Sequence, residues 1–307
     1  MKFILMGDLH YTDRQPKLRK DAFFETLNSK VKFIVELAKE KDAYILQPGD
    51  WFDSHKASYS CLSKLLRLLK SYSPLLGIIT VFGQHDLRFH KSDTENTPLN
   101  LMNEAFPHIF IAPNLEKMVI PESNVRISGC SWNEEPGNPG LEEMRNILLI
   151  HKMIYEEKSY PGQEVEGESA NIFLRKHAGF DLVVAGDNHK SFTAKVGNRI
   201  LVNCGALMRT SIDMKDHLPC CYLYDSLQHT LKKFLIPCKP FSEVFDFEQH
   251  EISKKVDNEK LEAFVRSLSA GGTPIDINFI RIMMDRINRA KAELEEGVIS
   301  ILEEIMQ

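Results

Sequence analysis

The sequence predicts an α/β sandwich, in which helices cover β-sheets, and three observations carry that prediction. Short apolar runs rich in Ile, Val, Leu and Phe recur at residues 2–6, 43–47, 77–82, 125–129, 146–150, 181–185 and 199–202. Each is closed by Gly or a polar cluster, the pattern of a buried strand bounded by turns. Helical periodicity fills the early intervals. Across 17–39, Phe23, Leu27, Val31, Ile34, Val35 and Ala38 fall on one face, and 59–69 repeats the pattern. Strand–helix alternation then gives way to more closely spaced strands, as in sheets covered by helices.

Composition is compatible with this reading. The chain has 307 residues, 43% hydrophobic and 26% charged, enough for one large domain with ample core and a small appendage. No stretch reaches the ~18 consecutive apolar residues of a membrane span. The opening Met1-Lys2-Phe3-Ile4-Leu5-Met6 is cut short by Gly7-Asp8, so it reads as a first core strand rather than a signal peptide, and a cytoplasmic location is expected. Cys61, Cys130, Cys204, Cys220, Cys221 and Cys238 form no CxxC pair. Reduced, mostly buried thiols are therefore expected. A net charge of −5 excludes DNA binding by bulk charge alone but neither demands nor excludes a local basic patch.

The composition shifts near Pro237-Cys238-Lys239-Pro240, which divides the chain into a main domain, 1–240, and a helical segment, 241–307. In the latter, 258–268 and 276–306 read as helices separated by Ala270-Gly271-Gly272-Thr273-Pro274. A tail packed on the main domain and a partner-binding segment fit this pattern equally well.

The chemistry lies in five polar clusters, each directly after an expected strand: Gly7-Asp8-Leu9-His10, Gly49-Asp50-Trp51-Phe52-Asp53, Gly83-Gln84-His85-Asp86, His151, and Gly186-Asp187-Asn188-His189. Loops at the carboxyl ends of strands in α/β sheets converge on ligand sites. Any one such cluster is a common turn, but five in series form a strong joint signal. Oxygen and imidazole ligands without thiolate suit divalent ions, Mn²⁺ foremost, with Fe, Zn²⁺ and Mg²⁺ also compatible. Two such ions ~3.5–4 Å apart activate water and clamp phosphoryl oxygens. They need a shared carboxylate, for which Asp50 is the candidate. His85 is the candidate imidazole for the leaving-group proton or for equatorial charge.

This series resembles the motifs of the calcineurin-like metallophosphoesterases: DxH, GDxxD, GNH(D/E), H and GHxH. The resemblance covers residues 1–210 and implies a four-layer α/β/β/α sandwich. It implies a first metal on Asp8, His10 and His189, a bridging Asp50, and a second metal on Gln84, His151 and Asp187. His85 matches the catalytic histidine and Asp53 the carboxylate that orients it. Asn203-Cys204-Gly205-Ala206-Leu207 is similar to the turn that follows the last motif. There are two departures. Gln84 stands where Asn is usual, and Asp187 where His is usual; the added carboxylate favours harder ions such as Mn²⁺ or Mg²⁺.

Within the superfamily the chain is most similar to SbcD-type DNA repair exonucleases, phage versions included. The grounds are the first motif in the opening residues, the Gly-Asp-Trp-Phe-Asp form of the second, and the helical tail. That resemblance implies two partners, DNA and an SbcC-type coiled-coil ATPase docked partly through C-terminal helices; a homodimer is a further open partner. Arg14, Lys17, Arg19, Lys20, Arg88, Lys91, Lys190 and Arg209 follow the motifs and suggest a basic rim. Solvated loop cations are the competing reading. Two other functions stay open: a phosphodiesterase or phosphatase acting on a small molecule or phosphoprotein, and a non-catalytic scaffold with a degenerate second metal site. His55, His90, His108, His177, His217, His229 and His250 lack strand-end context and read as surface or structural.

Overall fold

The computed structural model describes residues 1–72, 76–88, 94–112, 118–120, 123–137, 144–156 and 167–247. The chain divides into two compact units, Met1–Lys158 with Glu166–Val244, and Ser159–Val165 with Phe245–Gln307. The helices expected at 258–268 and 276–306 lie outside the described residues.

In the first unit the elements run β1 (Lys2–Leu5), α1 (Phe23–Lys41), β2 (Ala43–Gln47), α2 (Tyr59–Ser71), β3 (Ile78–Thr80), α3 (Pro98–Ala105) and β4 (Ile109–Ile111). They continue with β5 (Met118–Ile120), β6 (Val125–Cys130), β7 (Arg145–His151), the short pair β8 (Ile154–Tyr155) and β9 (Glu168–Ser169), and α4 (Ala170–Lys176). Then come β10 (Leu182–Gly186), β11 (Phe192–Val196), β12 (Arg199–Asn203), β13 (Cys220–Asp225), β14 (Thr230–Leu235) and the single turn α5 (Phe241–Val244).

The strands form two six-stranded sheets, β14-β13-β1-β2-β3-β4 and β11-β12-β10-β7-β6-β5. In the first, β1 through β4 are mutually parallel, with β13 and β14 antiparallel at one side. In the second, β12, β10, β7 and β6 are parallel, and antiparallel β11 and β5 close the edges. Every strand expected from the sequence is a member of one of these sheets. Parallel strands are covered on both faces, which is why their sequences are unbroken apolar runs.

The period-2 alternation of side chains sorts the core into layers. From β1, Phe3 and Leu5 join Leu46, Ile147, Leu149, Val184 and Val202 between the two sheets. Ile4, Met6 and Ile45 point the other way, onto Leu27, Val31, Ile34 and Leu65 of α1 and α2. On the far side, Leu148, Ile150 and Val183 pack on Phe173 and Leu174 of α4. The order is therefore helix, sheet, sheet, helix, the four-layer sandwich.

The first helix begins later than its apolar period suggests. Gln15 Nε2 donates to the carbonyls of Arg19 (2.7 Å) and Asp21 (2.9 Å), and Phe23 N donates to Gln15 Oε1 (3.3 Å). These bonds hold 17–22 in turns, so α1 starts at Phe23. α2 begins at the expected Tyr59, capped by Ser58 Oγ accepting from Cys61 N at 3.0 Å. Cys61, Cys130, Cys204, Cys220 and Cys221 are buried and Cys238 is exposed, all of them free thiols. Among the described residues no helix is long and apolar enough to cross a membrane.

Candidate metal centre

The parallel order puts the carboxyl ends of β1, β2 and β3 beside those of β7, β10 and β12, and the five polar clusters leave the sheets there. The backbone is bent hard to achieve this. His10, Asp50 and Asp187 all take positive φ, 43°, 54° and 82°, a conformation that costs of order 1 kcal/mol or more outside glycine and persists where surroundings impose it. Glycines provide the clearance. A Cβ on Gly49, itself at φ +96°, would lie 2.7 Å from both Gly83 N and His151 Nδ1, and one on Gly83 would overlap Asp50 Oδ1.

The side chains thus gathered are carboxylates and imidazoles facing one another, Asp8, Asp50 and His151 buried and His189 exposed. His10 Nε2 lies 3.1 Å from His189 Nε2 and 3.7 Å from Asp50 Oδ2. His151 Nε2 lies 3.5 Å from Asp50 Oδ2, and His189 Nε2 lies 3.9 Å from Asp8 Oδ2. Asp8, His10 and His189 form one group whose ligand atoms all fall within 4.8 Å of one another; His10, Asp50 and His85 form another.

Backbone amides orient the carboxylates, Asp187 N donating to Asp8 Oδ2 (3.1 Å) and His85 N to Asp50 Oδ1 (2.9 Å). The remaining atoms are left over: Asp8 Oδ1, Asp50 Oδ2, His10 Nδ1 and His151 Nε2 are buried without a hydrogen-bond partner. Buried polar atoms are ordinarily paired. A set of orphaned oxygens and ring nitrogens around a shared carboxylate fits divalent cations, which supply the missing partners.

Electrostatics agree. Burial drives His10 down to about 3, so its ring is neutral and available as a ligand. Burial pushes the Asp8 carboxyl well up, against the pull of His151 and with Asp50 adding to the rise. Burial also opposes charge on Asp50 and His151, but each outweighs it for the other, holding the carboxyl low and the imidazole high.

The two residues that depart from the family pattern meet each other: Gln84 Nε2 donates to Asp187 Oδ1 at 3.2 Å. The longer Gln reaches the carboxylate and leaves its carbonyl oxygen as a ligand atom. Burial raises the Asp187 carboxyl, against the pull of His151 and with Asp50 adding to the rise. His151 Nδ1 donates to Pro48 O at 2.7 Å, which directs Nε2 at Asp50.

His85 Nδ1 donates to Asp53 at 2.9 Å, but the acceptor is the backbone carbonyl and not the carboxylate expected from the resemblance. The turn after Asp50 brings the main chain, rather than the side chain, over the ring. A carbonyl only accepts, so this contact fixes the tautomer and leaves Nε2 as the reactive nitrogen. Asp53 and His85 both line the cleft, of about 290 Å³, that opens over Asp8, His10 and His189.

Several residues support the centre in ways to which the sequence assigned no role. Buried Asp86 accepts from Trp51 N (3.3 Å), Phe52 N (3.2 Å) and Gly83 N (3.0 Å), stapling the second loop to the third. Its only sequence signal is its place at the end of Gly83-Gln84-His85-Asp86. Trp51 is core, its Nε1 donating to Thr80 Oγ1 at 2.7 Å. Asn203 Nδ2 donates to the carbonyls of Asn188 (2.5 Å) and Lys190 (2.7 Å), while Leu207 N donates to Asp8 O (2.9 Å). The turn after β12 therefore clamps both the first and fifth loops.

The expected basic rim is smaller than the sequence suggested. Arg19 is buried and bidentate on Asp21, 2.7 Å on each arm, and its Nη1 donates to Arg209 O at 2.5 Å. Arg209 is also buried, donating to Lys239 O at 2.5 Å with its guanidinium over Phe241. Both hold the fold together rather than facing solvent. Arg14, Lys17, Lys20, Arg88 and Lys190 are exposed, and Lys91 lies outside the described residues. His217 Nε2 donates to Ala206 O at 2.6 Å, and His229 bonds Asn198 O at 2.5 Å, both structural. His90 and His250 lie outside the described residues.

The fold and this centre define a metal-dependent phosphoesterase. The family model described as calcineurin-like phosphoesterase matches residues 1–191, and the chain belongs to that family. No curated protein matches it by sequence. Among solved structures, an archaeal phosphodiesterase aligns with a TM-score of 0.43 at 12% identity, over 76% of this chain and 99% of its own. A candidate 5'-nucleotidase from Staphylococcus aureus, solved with alpha-ketoglutarate, aligns at 0.45 and 11% identity, over 83% of this chain and 58% of its own, so this chain spans little more than half of it. Vps29 from Entamoeba histolytica, complexed with zinc, aligns at 0.36 and 14%, over 77% and 98%.

When bound, divalent cations supply Lewis acidity toward phosphoryl oxygens and a nucleophile at neutral pH. Asp8, His10, Asp50, His151 and His189 are the residues arranged to hold them. His85, bonded through Nδ1 to the Asp53 carbonyl, lines the cleft with Nε2 left over, where a protonated ring would be placed to serve a leaving oxygen.

Proposed function

We propose that the chain is a Mn²⁺-dependent DNA nuclease of the SbcD-like branch, hydrolysing phosphodiester bonds at the centre built on Asp8, His10, Asp50 and His189. The observation that carries the choice of DNA is the placement of exposed cations. Arg14, Lys17 and Lys20 follow the β1 loop, Arg88 the β3 loop and Lys190 the β10 loop, so positive groups stand on the loops that bear the ligands. On an otherwise acidic protein such placement favours a polyanionic backbone locally. The proposal extends to an SbcC-type coiled-coil ATPase engaging residues 241–307. The cleft volume of about 290 Å³, at the small end of ligand pockets, supports the second reading, a phosphodiesterase acting on a nucleotide-sized ester.

The test compares linear and hairpin DNA with bis(p-nitrophenyl) phosphate and a phosphomonoester, each with Mn²⁺ and with chelator. Cleavage of DNA that disappears on chelation is expected. Hydrolysis of the small diester with DNA left intact would overturn the nuclease reading in favour of the second.

A further inference from the structure

We propose that Arg14 is a clamp for a second substrate phosphate, one nucleotide removed from the scissile bond, so that the enzyme selects nucleotide diesters carrying a flanking phosphate. This deepens the phosphodiester reading given above and rests on it. The cations near the centre are not alike. Arg19 and Arg209 are spent on Asp21 and on backbone carbonyls. Arg14 is different. Only its backbone is engaged, with N donating to Thr12 Oγ1 at 3.2 Å, and its guanidinium has no partner among the described residues. Yet it lines the cleft that contains Asp8, His10, His85 and His189.

Arg14 also lines a second, shallow hollow of about 40 Å³, which it shares with the cleft along with Thr12 and Asp53. The cleft has room for one nucleotide-sized unit beside the scissile phosphate. A longer substrate that continues from the cleft toward the hollow passes the residues the two share, and of these Arg14 is the cation. Beyond it stand Lys56, Ser54 and Ser58. The carboxylates of Asp13 and Asp53 border the same hollow, and Asp13 accepts from Ser58 Oγ at 3.0 Å. Their charge disfavours an anion deeper in the hollow and leaves the guanidinium at the rim as the phosphate contact. A planar fork of donors matches phosphate oxygens bidentately, which a solvated ammonium does not.

Chromogenic diesters test this in the full chain with Mn²⁺. One pair is thymidine 5'-(p-nitrophenyl phosphate) with and without a 3'-phosphate; the other is thymidine 3'-(p-nitrophenyl phosphate) with and without a 5'-phosphate. The wild type is expected to prefer the doubly phosphorylated member of one pair in kcat/KM by about tenfold or more, the worth of one charge-assisted contact. Arg14→Gln should bring that ratio toward one, with Arg14→Lys in between. Because Arg14 is exposed, the variants are expected to keep the thermal midpoint of the wild type. No preference in either pair, or a preference that Arg14→Gln retains, would overturn the clamp. So would hydrolysis of none of the four diesters, and the phosphodiester reading falls with the clamp only where DNA is left intact as well. A preference that depends on Arg14, in a protein that leaves DNA intact, would keep the clamp and discard only the nuclease.

Discussion

At His85 a single ring makes two separable contributions. Its backbone N–H donates to Asp50 Oδ1 at 2.9 Å, and its imidazole, held by the Asp53 carbonyl, faces the cleft. Alanine keeps the first contact and removes the second. His85→Ala is therefore expected to lower kcat by ~10²–10⁴-fold, the usual worth of a positioned acid, while elemental analysis finds the metal content of the wild type. Loss of metal along with turnover would make His85 a ligand, as its proximity to His10 and Asp50 allows. Residue types at this centre were legible from the chain because five clusters of short acids and imidazoles recur in series, each directly after a strand. Atom-level roles were not. That Asp53 works through its carbonyl, that Gln84 pairs with Asp187 across 103 positions, and that Arg19 turns inward onto Arg209 are set by contacts between distant segments, which no local pattern encodes.

Elements follow the same division. β2, β7 and β10 were readable because burial on both faces makes them continuous apolar runs, as in Ile147-Leu148-Leu149-Ile150. β14 reads Thr-Leu-Lys-Lys-Phe-Leu and, among the described residues, pairs only with β13, so its exposure permits lysines and hides the strand. β4 and β5, three residues each at sheet edges, are too short to show a period. The loops between elements carry the tighter constraint. The third loop passes so close to the second that a Cβ at Gly83 would overlap Asp50 Oδ1 and crowd Asp50 N. Gly83→Ala must displace one loop or the other, at a cost of ~1–3 kcal/mol if it resembles core overpacking, and the displaced atom is the proposed bridging carboxylate. Calorimetry should find a lower unfolding temperature and weaker Mn²⁺ binding together, whereas His85→Ala should change neither appreciably. Cation affinity equal to the wild type in Gly83→Ala would mean that the loops adapt and that the glycine is not what holds the bridge in place.

Over the first unit, the proposed ligands tie together two sheets whose shared core is apolar. Asp8, His10 and Asp50 leave β1 and β2 of one sheet; His151 and His189 leave β7 and β10 of the other. Between the sheets lie Phe3, Leu5, Leu46, Leu149 and Val184, packing that resists separation but carries no charge to offset the buried carboxylates at its end. In the unfolded chain these five residues are scattered over 180 positions and have little cation affinity. A cation that binds only the folded arrangement stabilises it by mass action, about 2.7 kcal/mol at a concentration one hundred times Kd. For domains of ~150–250 residues each kcal/mol is worth about 2–4 °C, so saturating Mn²⁺ should raise the unfolding midpoint by roughly 5–10 °C over chelated protein. Asp50→Asn, which keeps the size and the His85 N–H contact but halves the bridge's ligand capacity, should lose most of that increment. Differential scanning calorimetry with and without chelator measures both. A midpoint indifferent to Mn²⁺ in the wild type would mean that the orphaned atoms of Asp8, Asp50, His10 and His151 do not form a cation site. An increment fully kept in Asp50→Asn would instead place the cation on Asp8, His10 and His189 alone, without a bridge.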